Sequence, residues 1–110
     1  KEYVFTFNRQ HLSEIKEIES RSKSAFIALV CVKDREICLI SRAELMELIE
    51  ERRREKGSKE DTYTALVVAP KGKSLRVYMN APGVRKTKLT EKIVSRNLFP
   101  NKIFEESDNA

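Results

Sequence analysis

Residues 65–80 read ALVVAPKGKSLRVYMN, and the fold depends on whether the GKS within them closes a phosphate-binding loop or a hairpin turn. A Walker loop requires a glycine five residues before its Gly-Lys-Ser glycine, a strand ahead of it and a helix behind. The position five before Gly72 is Val67, inside the apolar run, and after Ser74 comes LRVYM, whose alternating β-formers predict a strand. Without a helix N-terminus there are no converging amides and no dipole to hold a phosphate. PKGK (70–73) is therefore expected as the turn of a hairpin joining TALVVA to SLRVYM.

Upstream of this hairpin, YVFTF (3–7) alternates like a strand, and Asn8 is placed to cap a helix over 9–22 with Leu12, Ile15 and Ile18 on its inner face. Glu17 with Arg21 and Glu19 with Lys23 form four-residue pairs on the outer face of that helix. AFIALVCV (25–32) and EICLI (36–40) flank Lys33-Asp34-Arg35 as a second hairpin. SRAE (41–44) is a capping box opening a helix with Leu45, Leu48 and Ile49 inward and Gly57 as its stop. Downstream, Asn80-Ala81-Pro82-Gly83 leads into VRKTK and then LTEKIVSRNLFP, where a short helix capped by Thr90 and a strand through KIV both fit.

The element order is thus β-α-β-β-α-β-β plus a short C-terminal element. It implies an α+β fold with a mixed or mostly antiparallel sheet of about five strands and its helices on one face. In outline the order resembles a ferredoxin-like split βαβ arrangement. A single domain over 1–104 and a frayed acidic tail over 105–110 are expected. Both FIALVCV and ALVVA are apolar on both faces, a pattern of strands covered on two sides. Two helices cover one face, so the other is expected to meet Leu98, Phe99, Ile103 and Phe104, or a second copy of the chain.

Apolar residues make up 40% and charged residues 35% of the 110, the composition of a folded soluble domain rather than a disordered one. AFIALVCV, the longest apolar run, is too short to cross a bilayer, so a cytoplasmic protein with no membrane partner is expected. The net charge of +5 is uneven: residues 1–50 carry −1, residues 51–102 carry +9 and residues 103–110 carry −3. That asymmetry favours a polyanionic partner.

Cys31 and Cys38 are the only cysteines. A hairpin turning at Asp34-Arg35 sets them directly opposite each other, where they are expected as reduced, buried, apolar side chains. His11 is the only histidine and is expected as a capped surface or half-buried residue; no metal or cofactor is implied. A metal-dependent nuclease of the restriction type needs an acid on one strand and an E-x-K on the next, but Glu14-Ile15-Lys16 is helical and ICLI and LVVA are apolar. Enzyme activity is not expected, and a degenerate nuclease-like domain is the third reading.

The basic groups form three clusters. Arg52, Arg53, Arg54 and Lys56 complement a helix C-terminus, with Glu50 four residues before Arg54. Lys71, Lys73 and Arg76 lie on the PKGK hairpin; Arg85, Lys86 and Lys88 follow the Pro-Gly turn, with Lys92 and Arg96 beyond. If the last two clusters converge they form a strip for phosphates, and Tyr78 shares a strand face with Arg76, placed either to stack a base or to pack. The leading expectation is a non-enzymatic nucleic-acid-binding or accessory domain that contacts DNA or RNA phosphates through 70–76 and 85–96. The alternative is a protein-interaction or homodimerisation module without a nucleic-acid role.

Overall fold

The PKGK hairpin forms. In the computed structural model, which describes residues 2–22, 24–57, 60–80 and 91–108, the Lys73 amide donates to the Pro70 carbonyl at 3.2 Å. Gly72 sits at φ 73°, the left-handed geometry that the third position of a type II turn demands. The turn joins β4 (Thr62–Val68) to β5 (Leu75–Asn80), with Val67 opposite Val77 and Val68 opposite Arg76.

On one side of this pair lies β1 (Glu2–Asn8), antiparallel to β4, and on the other β6 (Glu91–Val94), antiparallel to β5. The result is a four-stranded antiparallel sheet in the order β1-β4-β5-β6. The strand alternative for KIV is therefore the one realised; Thr90 lies outside the described residues. Among the described residues the second hairpin, β2 (Phe26–Cys31) and β3 (Glu36–Ser41), pairs only with itself, so their strands divide into four and two rather than joining in one sheet. Among the described residues every pairing is antiparallel, and the parallel strands of a split βαβ unit are not formed there.

Period-two alternation sets the sheet's two faces. Tyr3, Phe5 and Phe7 of β1 share the inner face with Tyr63, Ala65 and Val67 of β4, and with Leu75, Val77 and Met79 of β5. Onto that face pack α1 (Arg9–Ser22), α2 (Arg42–Lys56) and the inner side of the β2–β3 hairpin: Leu29, Cys31, Cys38 and Ile40 join Leu45, Leu48 and Ile49 in one core. The α2 capping box is present in full: the Glu44 amide donates to Ser41 Oγ at 3.1 Å and the Ser41 amide to Glu44 Oε1 at 2.9 Å. Gly57 ends the helix at φ 84°, its amide donating to the Arg53 carbonyl.

Three expectations are corrected. The Cys31–Cys38 register is shifted: Cys31 lies opposite Glu36 and Cys38 opposite Leu29, because Val32–Asp34 coil into a 3-10 turn closed by Arg35 in the left-handed region. The thiols are diagonal neighbours on one face, both free and buried. β2 is covered on one side only, since Ala28 and Val30 are exposed while Leu29 and Cys31 are buried. Glu50 pairs with Arg53 three residues on rather than with Arg54, and Glu19 meets Arg42 at 2.7 Å across to α2, while its expected partner Lys23 lies outside the described residues.

After β6 a turn containing the cis Phe99–Pro100 bond leads into α3 (Asn101–Asp108). Leu98 packs against the core, whereas Phe99 and Phe104 stay exposed. On the outer sheet face Val4 and Ile93, on the flanking strands, are 61% and 63% exposed, whereas Thr64 and Leu66 of β4 are buried, so β4 is covered on both sides as its apolar run predicts.

Candidate nucleic-acid interface

The strand register decides which basic side chains share a surface. Arg76 and Tyr78 lie on the outer face of β5, with Leu66 and Val68 of β4 on one side and Ile93 of β6 on the other. Val4 and Thr6 of β1 continue the same face. It is an apolar and hydroxyl surface with one aromatic ring at its centre, the Tyr78 hydroxyl donating to Glu2 at 2.9 Å. Lys71 and Lys73 stand exposed at the tip of the β4–β5 turn, at one end of this face, and neither makes an ion pair.

The other expected contacts go elsewhere. Lys92 alternates to the inner side of β6, where its ammonium meets Glu47 of α2 at 3.0 Å. Arg96 is bound from three directions: Nε donates to the Lys73 carbonyl at 2.8 Å, Nη2 to the Pro70 carbonyl at 2.8 Å, and Nη1 to the Glu36 carboxylate at 2.6 Å. It holds the β4–β5 turn against the β2–β3 hairpin, beneath a shallow concavity lined by Gly72, Lys73 and Ser74. Arg85, Lys86 and Lys88 lie outside the described residues. Of the expected strip, the structure thus brings Lys71, Lys73 and Arg76 together on one hairpin and puts Lys92 and Arg96 into structural pairs.

The first cluster also divides. Arg52, only 8% exposed, forms a forked pair with Glu60 (Nε–Oε1 2.9 Å, Nη2–Oε2 3.4 Å) that holds the end of α2 to the start of β4. The Glu60 amide in turn donates to the Tyr63 hydroxyl at 3.1 Å. Arg54 remains exposed.

His11 is placed by α1 rather than by any site. The His11 amide donates to Asn8 Oδ1 at 2.9 Å and the Asn8 amide donates to His11 Nδ1 at 3.1 Å. This is a reciprocal cap in which an imidazole occupies the usual position of Glu. Asn followed three residues later by a hydrogen-bond acceptor was the available signal, and it lies in N-R-Q-H (8–11). The Tyr3 hydroxyl donates to Asp34; burial first, and then that hydrogen bond and the carboxylate's charge, push the phenol above its ordinary range.

Burial likewise raises both thiols, Cys31 with help from Asp34 and Glu36, and Cys38 up to about 12. At neutral pH both are protonated and poor nucleophiles. Among the described residues no three His, Cys, Asp or Glu side chains gather in a way that could hold a metal ion. No helix there is long and apolar enough to cross a membrane. No family model, curated protein or solved structure matches the chain, so the reading of this surface rests on its own geometry.

Proposed function

We propose that the protein binds nucleic acid without catalysing a reaction on it, using the β4–β5 hairpin and the adjoining outer sheet face. The observation that carries this reading is that Lys71 and Lys73 are exposed, free of acidic partners, and on the same hairpin as Arg76. Two ammonium groups at a hairpin tip track phosphates without reading sequence, and the outer sheet face beside them offers the half-buried Tyr78 ring and the exposed Ile93 to unstacked bases. By its sequence position the segment with Arg85, Lys86 and Lys88 belongs to the same proposal, following β5 directly.

The test is a salt titration of a labelled 20-nucleotide single strand and of the matching duplex. Three phosphate contacts weaken affinity by about 20- to 40-fold between 50 and 200 mM salt. Lys71→Glu with Lys73→Glu should remove most of that dependence, and Arg85→Glu with Lys86→Glu should lower the affinity further. Absence of binding to either nucleic acid at 50 mM salt would defeat the reading.

A second reading has its own observation. Val4 and Ile93, on opposite outer strands of the sheet, are exposed on the face that also carries the buried Leu66 and the half-buried Val68. Such a face also suits homodimerisation. Under that reading the mass at micromolar concentration is twice the monomer's and Val4→Asp returns it to the monomer; a monomeric wild type excludes it.

A further inference from the structure

We propose that the groove between β1 and α1 binds an extended peptide segment of a partner protein, which adds as a fifth strand to the open edge of β1. This site lies beside the sheet and is independent of the basic hairpin. β1 pairs with β4 along one edge, and among the described residues no strand pairs with the other. An outer strand normally blocks further pairing with Lys, Pro or a bulge. Between Tyr3 and Phe7 β1 has no charged residue and no proline, and its register with β4 runs unbroken from Glu2 to Asn8. From Tyr3 to Phe7 the edge is uncharged and its ladder unbroken, so it is competent to pair.

Beside that edge lies a groove of about 350 Å³ lined by Thr6, Phe7, His11, Glu14, Ile15 and Ile18. No residue of α1 is fully buried, and Ile18 is 54% exposed although it belongs to the helix's apolar stripe. A strand edge flanked by a helix with an apolar floor between them is the arrangement by which β-strand addition works. The main chain supplies affinity, and alternate side chains, directed into the groove, supply selectivity.

The groove's chemistry specifies the peptide. An apolar side chain fits against Phe7, Ile15 and Ile18. Glu14, exposed on the rim, makes no ion pair in the structure, so it favours a cation nearby. Glu14 and Ile18 are one helical turn apart, about 6 Å along the axis, and side chains two residues apart on one face of a strand are separated by about 6.8 Å. The preferred segment therefore carries a branched apolar residue and a Lys or Arg two positions away, both facing α1. His11 accepts from Asn8 through Nδ1, which leaves its Nε2–H as a donor on the same rim.

The test is selection from a displayed library of random decapeptides, followed by synthesis and fluorescence-anisotropy titration of the enriched sequences. Apolar-x-Lys/Arg patterns should be enriched, and bound peptide should slow amide hydrogen exchange in β1. Ile18→Glu should abolish binding and Glu14→Lys should lower affinity at least tenfold; both positions are exposed, and circular dichroism confirms the fold. N-methylation of alternate peptide residues, which removes main-chain donors, should abolish binding. Four outcomes overturn the proposal: failure to enrich any peptide, equal binding by either variant, equal binding of the N-methylated peptide, or protection confined to β6 or β2. Self-association of the free protein that Ile18→Glu abolishes also overturns it, because the occupant would then be a second copy.

Discussion

Arg96 divides its guanidinium among two main-chain carbonyls and one carboxylate, so one side chain joins the β4–β5 turn to the β2–β3 hairpin. Arg96→Met leaves Glu36 without its cation and two carbonyls without donors. The expected cost is about 2 kcal/mol or more, read from denaturant unfolding. Arg96→Lys should recover only part of it, since an ammonium cannot reproduce the fork. Because the residue is committed internally, neither change should alter the salt slope of nucleic-acid binding, in contrast to Lys71 and Lys73. The cysteines give a pH prediction. Cys38 titrates near 9 when unfolded and at about 12 in the fold, so its protonated form is favoured by folding. The associated stability is fully present below pH 9 and is lost as the pH rises toward 12, at up to about 1.4 kcal/mol per pH unit for each such thiol. Cys38→Ala should make the decline between pH 9 and 11 shallower, as measured by urea midpoints across that range.

At the level of elements, local grammar explains what the sequence disclosed. Ser41 and Glu44 are three residues apart and their cap needs no tertiary partner, so SRAE could be read directly. Ser41→Ala should cost about 1 kcal/mol in thermal or chemical unfolding, with Ser41→Asp largely restoring it. Gly72 and the alternating residues around it were legible for the same reason. The β2–β3 register was not, because a 3-10 turn and a left-handed Arg35 moved the pairing by two residues, and VKDR carries no glycine to announce that geometry. The candidate site was legible in the same measure. Lys71, Lys73 and Arg76 stay together because they are neighbours on one hairpin. Arg96 and Lys92 found Glu36 and Glu47, partners 60 and 45 positions away that no local pattern links to them.

For the whole molecule, the controlling fact is a sheet whose inner face is packed throughout and whose outer face is exposed at the flanking strands β1 and β6. The Cα envelope measures 38 × 35 × 19 Å, and its thin dimension accommodates two layers, the sheet and the layer of helices and hairpin behind it. The two faces should therefore respond oppositely to substitution. Leu75→Ala, at a position with no exposure, should cost about 2–5 kcal/mol in unfolding free energy. Val4→Thr and Ile93→Thr should each stay within about 0.5 kcal/mol of wild type. Large losses at Val4 and Ile93 in the isolated monomer would mean that the outer face is structural rather than available to partners.

The β2–β3 hairpin shares no main-chain ladder with the larger sheet and is clasped at its turn by two side-chain contacts, Tyr3 with Asp34 and Arg96 with Glu36. Were that clasp to open and the hairpin to leave the core, the buried sulfur atoms of Cys31 and Cys38 would meet solvent together. The rate at which an aromatic disulfide reagent changes colour would therefore measure how often, if at all, the hairpin opens.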